Sequence, residues 1–223
     1  ENYDGILPHR ITAVNAWIAV MRGCNNFCSF CIVPYTRGRE RSRAVDSVLE
    51  EAQRLAAEGF QQVTLLGQNV NSYQHDDHDF ADLLNRISEI DGIERIRFTS
   101  PHPKDFPTSL IETVATNPKV CKHIHLPLQA GNSRVLDVMR RTYTKADYLQ
   151  LVDQIKSAIP DVALTTDIIV GFPTETAKEF EDTVDVVQQV QFNSAFIFKY
   201  SEREGTLAAK HFEDDVPEAA KTE

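Results

Sequence analysis

Short β-rich runs alternate with stretches of helical period along most of this chain, and that alternation is its clearest structural signal. Strand patterns fall at 13–20, 62–66, 96–99, 123–128, 164–170 and 195–200. Between them, apolar residues recur at helical spacing over 45–58, 80–90, 109–115, 133–141, 145–159 and 177–190. Local signals support some boundaries: Thr176 with Glu179 makes a capping box, and Gly59 stops the first helix. Six βα units in succession predict a parallel open sheet with right-handed crossovers. Eight such units close a barrel, so six predict a partial (β/α)6 TIM-like barrel, its cleft at the C-terminal ends of the strands.

The chain has 223 residues, enough for one sizeable core, and 42% of them are hydrophobic. No apolar run reaches the roughly 18 residues of a membrane span, which predicts a soluble, cytoplasmic protein. With 23 basic against 33 acidic residues, the net charge of −10 argues against a broad nucleic-acid grip by this segment alone. The charge is uneven, however. Residues 37–43 hold four arginines and one glutamate, whereas residues 202–223 hold seven acids and three bases. Arg37, Arg39, Arg41 and Arg43 suit RNA phosphates or, equally, a solvated face.

Three of the 4 cysteines, Cys24, Cys28 and Cys31, form a C-x3-C-x2-C triplet directly after the first strand, at the expected cleft. Thiolate sulfur suits an iron–sulfur cluster or zinc. A structural zinc site closes with four ligands, and no His or Cys follows Cys31 at finger spacing. A disulfide within the triplet leaves one thiol over. Three thiolates can instead hold one face of a four-iron cluster and leave its fourth iron open to nitrogen and oxygen donors. Cys121 reads as a structural thiol.

Several strand ends add polar groups. The second strand runs into Gly67-Gln68-Asn69-Val70-Asn71-Ser72-Tyr73, whose amides suit a polar ligand at a barrel mouth and are also ordinary turn residues. At the end of the fourth strand Gln129 faces the cleft, and Gly131 lets the backbone approach a ligand. His123 and His125 share a strand face and read as satisfied core or rim groups rather than ligands. A strand from Asp167 leads to a Gly171-Phe172-Pro173 turn and Glu175.

Taken together, from about residue 14 to 206, these segments resemble the methylthiotransferase branch of the radical S-adenosylmethionine (SAM) enzymes. The likeness rests on Cys24 to Cys31 with Pro34-Tyr35-Thr36-Arg37, the Gln68–Asn71 run, Ser100-Pro101-His102-Pro103, Met139-Arg140-Arg141 with Tyr143-Thr144, and Lys199-Tyr200-Ser201. The Tyr35-Thr36 pair and the amide run resemble the tRNA-modifying members more than those that methylthiolate a ribosomal-protein aspartate.

The resemblance implies a four-iron, four-sulfur cluster on Cys24, Cys28 and Cys31, with SAM chelating its open iron. It implies that Phe30 lies against the SAM adenine, and that Gln68 takes the place of a Gly-Gly-Glu element on the methionine amino group. Gln129 would reach the ribose or methionine part, and Ile169 and Gly171 would line the adenine pocket. Asp167 stands where the wider superfamily often has glycine, and Glu175 falls one place later than usual. The implied reaction puts a methylthio group on carbon 2 of an isopentenyl-adenosine beside the tRNA anticodon, with external electron and sulfur donors. The expected organisation is a linker at 1–11 from an absent N-terminal domain carrying a second cluster, the barrel at 12–205, and an acidic linker at 206–223 toward an absent RNA-binding domain. A rival from another class is a non-catalytic iron–sulfur or RNA-contacting module.

Overall fold

The computed structural model describes residues 14–223, so the expected linker at 1–11 and the start of the first strand lie outside the described residues. β1 (Asn15–Ala19) leads through β2 (Met21–Arg22) into the cysteine loop and α1 (Val33–Arg37), and β3 (Arg41–Ser42) pairs back onto β2. Next come α2 (Val45–Ala57), β4 (Gln62–Leu66), a small hairpin of β5 (Gln74–His75) and β6 (His78–Asp79), α3 (Phe80–Ser88), β7 (Arg95–Phe98) and α4 (Thr108–Thr116). The second half holds β8 (His123–His125), α5 (Ser133–Val138), α6 (Lys145–Ala158), β9 (Ala163–Val170), α7 (Ala177–Val190) and β10 (Ser194–Lys199). Two short helices, α8 (Leu207–His211) and α9 (Glu218–Thr222), follow.

The main strands form two parallel ladders, β1-β4-β7 and β8-β9-β10. A parallel bridge between Ile96 and Val120 joins them, with the Ile96 N–H on the Lys119 carbonyl at 2.8 Å and the Cys121 N–H on the Ile96 carbonyl at 3.0 Å. The six strands thus follow one another in chain order, with no pairing among the described residues that closes β10 onto β1. This is the partial barrel that the βα alternation predicts. Cys121 is only half-buried, at the seam between the ladders.

Side-chain alternation sorts the two faces of the sheet. Ala16, Ile18, Val63, Leu65, Ile96, Phe98, Ile124 and Leu164 are buried in one core with apolar residues of the surrounding helices. The opposite face carries Asn15, Trp17, Thr64, Arg97, His123, His125, Thr165 and Asp167. A closed barrel fills that space with layers of branched apolar side chains. Here the concave face is polar and partly open to water.

Most expected boundaries hold within a residue or two, and three departures have a physical reason. β8 ends at His125 instead of 128, because the Leu128 N–H goes to the Thr166 hydroxyl at 2.9 Å rather than to a ladder carbonyl; Gln129 then rejoins the ladder opposite Ile168. α5 ends at Val138 instead of 141, because Arg140 turns into the left-handed region at φ 56° and carries Arg141 inward. The stretch expected as an acidic linker folds back onto the barrel: Thr206, Ala208 and Lys221 are buried, and the Ala208 N–H reaches the Ser29 carbonyl at 2.7 Å. Its small apolar residues seat α8, while Lys221 pairs with Asp214 and offsets part of the acidic excess.

Candidate active site

The cysteine loop is held along its length by distant parts of the chain. Gly23 is at φ 85°, and a Cβ there would lie 2.1 Å from the Arg39 carbonyl oxygen, so only glycine fits. The Gly23 N–H donates to Gln68 Oε1 at 2.6 Å, and the Cys24 N–H donates to the Gly38 carbonyl at 3.1 Å. Glu40 accepts from the Asn25 N–H at 3.1 Å and from Asn25 Nδ2 at 3.2 Å. Farther along, the Ser29 N–H and Oγ donate to the Met139 and Val138 carbonyls at 2.9 and 2.8 Å. The Cys31 N–H closes a turn on the Cys28 carbonyl at 3.0 Å. These bonds hold the backbone of the loop that carries the three cysteines.

Cys24 and Cys28 are buried and Cys31 is half-buried. Burial pushes the Cys24 thiol up to about 11 and raises that of Cys31 as well, so without a metal these thiols keep their protons near neutral pH. A bound metal displaces such protons. The donor set is all sulfur, which suits an iron–sulfur group, and a buried cation stands beside it: Arg141 Nη1 is 3.4 Å from Cys28 Sγ. Among the described residues no His, Cys, Asp and Glu side chains gather as a site for a single metal ion.

The other expected site residues sit in different settings. Gln68 is exposed, its carbonyl oxygen already engaged by Gly23, so it braces the cysteine loop. Phe30 meets Phe172, the neighbour of Gly171, edge to face at 6.4 Å between centroids. Gln129 is buried at φ 68°, a strained conformation for a side chain with a Cβ. Its backbone spans the Asp167 carbonyl at 2.8 Å and the Ile169 N–H at 2.9 Å, which places Gln129 beside Ile169. Phe27, Ser100, Arg140 and Thr174 are also at positive φ. Strained backbone of this kind clusters at functional sites.

Some residues have other work. Gly131 directs its missing Cβ at α7, where it would lie 2.5 Å from both the Asp182 carbonyl oxygen and Thr183 Cα; the close approach is to a helix rather than a ligand. Gly171 lies beneath the Lys221 side chain. Asn71 Nδ2 donates to the His102 carbonyl at 2.9 Å and its Oδ1 accepts from the His102 N–H at 2.8 Å, while Asn69 Nδ2 reaches Asp105 at 2.8 Å. The amide run therefore ties the loop after β4 to the loop after β7. Arg43 is buried against Glu51 at 2.7 Å and the Ala19 carbonyl at 2.9 Å, which removes it from any phosphate-binding face; Arg37, Arg39 and Arg41 remain exposed.

Other features of the site were not assigned roles by sequence reasoning. Glu175 Oε2 accepts the Gly171 and Phe172 N–H groups at 2.8 and 3.3 Å, clamping the turn after β9, and burial raises its pKa. On the concave face, His125 Nε2 lies 3.2 Å from Asp167 Oδ2, and His125 Nδ1 lies 3.0 Å from Thr165 Oγ1. Phe196 packs against the His125 ring at 6.3 Å and is 58% exposed, so the face offers aromatic area as well as hydrogen-bonding groups. The two-residue spacing of His123 and His125, with Thr165 and Asp167 on a later strand, was the available signal. It gives the shared face but not its exposure.

Comparison with known proteins gives three findings. The model of the Radical SAM superfamily matches residues 18–187. The chain is 55% identical over 223 residues to tRNA-2-methylthio-N(6)-dimethylallyladenosine synthase of Acetivibrio thermocellus, covering 99% of this chain and 46% of that protein. Against the enzyme of the same name from Porphyromonas gingivalis it is 50% identical, covering 99% and 49%. The chain thus spans about half the length of the curated relatives it matches. Among solved structures, the radical S-adenosylmethionine methyltransferase TsrM from Kitasatospora setae, with cobalamin and a [4Fe-4S] cluster bound, superposes with a TM-score of 0.72 at 19% identity over 86% of this chain and 38% of that one. Coproporphyrinogen III oxidase from Escherichia coli, a radical SAM enzyme, gives 0.65 at 14% identity over 94% and 50%. At those identities the likeness shows the shared fold.

Proposed function

We propose that this chain, which belongs to the Radical SAM superfamily, is the catalytic core of a methylthiotransferase acting on carbon 2 of a prenylated adenosine in tRNA. The observation that carries the reading is the cysteine loop itself: three thiols pinned at the open mouth of a partial barrel, in a chain half-identical to enzymes of that name. Cys24, Cys28 and Cys31 would hold a four-iron, four-sulfur cluster, which when bound would supply the electron that cleaves a carbon–sulfur bond of SAM.

The protein's own residues supply placement. Gln68 and Glu40 fix the start of the loop, while Ser29 ties its middle to the segment after α5. Phe30, Gln129, Ile169 and Gly171 are the residues expected to meet SAM, and the Glu175 clamp holds the turn that carries Gly171. A reactive carbon must stand within contact distance of its target for the chemistry to be selective, so rigidity here is itself catalytic. The concave face favours a base as the target. Aromatic rings at Trp17, Phe196 and Phe198 can stack on a planar heterocycle, and the His125–Asp167 pair can read its edge. Enzymes working on single-stranded loops of RNA use this combination.

Methylthiolation also needs sulfur and a second methyl group. Four cysteines, three of them on this loop, do not provide a second three-cysteine cluster site, so sulfur reaches the reaction from elsewhere, and electrons come from an external one-electron donor. The substrate places the enzyme in the cytoplasm; among the described residues no helix is long and apolar enough to cross a membrane. The test is anaerobic reconstitution with iron and sulfide, then incubation with SAM and a strong reductant. We expect 5′-deoxyadenosine to form without any methylthio product on prenylated tRNA. A chain that takes up iron yet leaves SAM intact refutes the catalytic reading and supports a non-catalytic module.

A further inference from the structure

Arg141 stands out among the charged groups of the interior. Its residue is buried, its ring-facing side lies over Tyr143 at 5.2 Å from the centroid, and its nitrogens reach three neighbours. Nε donates to Tyr143 Oη at 2.9 Å, Nη2 to the Pro127 carbonyl at 3.1 Å, and Nη1 to Cys28 Sγ at 3.4 Å. None of the three is a carboxylate. Arg43, the other buried arginine among the described residues, shows the contrast, since Glu51 meets it at 2.7 Å. A guanidinium does not give up its proton in a protein, and a buried charge without an opposite charge is strongly destabilising. Of its three hydrogen-bonded neighbours, the Cys28 sulfur is the one that belongs to the candidate cluster loop.

The fold goes to some length to place that charge. Arg140 takes a left-handed conformation at φ 56°, and the Arg141 N–H returns to the Leu136 carbonyl at 2.8 Å, which turns the side chain away from the α5 axis and into the site. The Ser29 bonds to Met139 and Val138 bring the cysteine loop to the same place. Tyr143 then fixes the guanidinium plane, its hydroxyl also donating toward the Leu128 carbonyl at 3.0 Å.

We propose that Arg141 is the built-in counter-charge of the cluster site, and that it stabilises the reduced cluster over the oxidised one. Reduction brings one electron from the external donor and no proton, so the site gains one negative charge. A fixed cation that hydrogen-bonds a ligand sulfur favours that state, because hydrogen bonds to sulfur, net charge and burial set cluster potentials. Arg141 is a positioning and tuning residue; it need touch neither SAM nor substrate. The inference rests on the cluster reading above but not on the identity of the substrate.

The test compares Arg141→Gln, which keeps polar reach and removes the charge, with Arg141→Lys, which keeps the charge and loses the planar fork. Each chain is reconstituted anaerobically and titrated against potential, with the paramagnetic resonance signal of the reduced cluster as readout. Arg141→Gln should hold about tenfold less reduced cluster at a fixed potential, which is ~59 mV for a one-electron couple. Arg141→Lys should stay within about threefold of the unsubstituted chain, as its charge is retained. If only the Gln variant fails to keep its cluster, the need for charge is supported. Equal shifts in both variants, no shift in either, or loss of the cluster from both overturn the proposal and leave Arg141 as a structural brace. Should the unsubstituted chain take up no cluster, the site reading fails instead.

Discussion

Lowering the pH toward 5 should destabilise this protein through His102 before its ion-paired carboxylates titrate. His102 is 7% exposed, its Nδ1 accepts the Lys104 N–H at 3.2 Å, and its Nε2 has no partner among the described residues. Burial, helped by the positive charges of Arg141 and Lys104, pushes its pKa down to about 2. A histidine in an unfolded chain titrates near 6.5, so below that pH the unfolded state binds a proton that the folded state refuses. The sign follows: stability is complete above about 6.5 and falls as pH drops, at ~1.4 kcal/mol per unit. Between about pH 6.5 and 5 the loss is about 2 kcal/mol, a large part of a typical folding stability of roughly 5–15 kcal/mol. Ion-paired carboxylates such as Glu179, held down to about 2 by its hydrogen bonds to Arg134 and Thr176, lose their contribution only at lower pH and stay silent in this window. The assay is urea denaturation at about pH 7 and 5 for the unsubstituted chain and His102→Asn, whose carbonyl can take the same cap position. The unsubstituted chain should lose about 2 kcal/mol more than the variant over that interval. Parallel losses in the two proteins refute the reasoning, as does an ordinary histidine titration of His102 by nuclear magnetic resonance.

The remaining predictions concern ligation and packing. Cys28→Ala should abolish uptake of the four-iron cluster, whereas Cys121→Ala, half-buried at the ladder seam, should leave iron and sulfide content unchanged; the reverse pattern by iron analysis removes the assigned site. Gly131→Ala puts a Cβ 2.5 Å from backbone atoms of Asp182 and Thr183, and should cost at least about 1–3 kcal/mol in a thermal or urea melt, since neither α7 nor the loop can yield cheaply. A melt unchanged within error contradicts that packing.

Much of the fold was legible because helix and strand impose different periods on the same apolar residues. The spans 62–66 and 177–190 match β4 and α7 at both ends, the second with its Thr176–Glu179 capping box in place. Two of the moved boundaries trace to single residues: Leu128 gives its N–H to the Thr166 hydroxyl instead of the ladder, and Arg140 leaves the helical region to end α5. The tail was less legible. Its acidic composition describes a solvated segment, yet Thr206, Ala208 and Lys221 find buried places that only the assembled barrel provides.

The site divides along the same line. Its cysteines are local, three within eight residues, so their spacing alone points to sulfur ligation of one group. What gives them their setting comes from far away in sequence: Gln68 on Gly23, Val138 and Met139 on Ser29, Arg141 on Cys28. In the sequence Arg141 resembles any cation at a helix C-terminus, a place where positive charge is ordinarily favourable and unremarked. Only when α5 stops early does that charge leave the helix end and enter the core. Likewise the amides at Asn69 and Asn71 have the chemistry to hold a ligand, and whether they do so depends on the loop carrying His102 and Asp105, which reaches them first. Residue type sets what a side chain can bind, and competition among neighbours decides what it does bind.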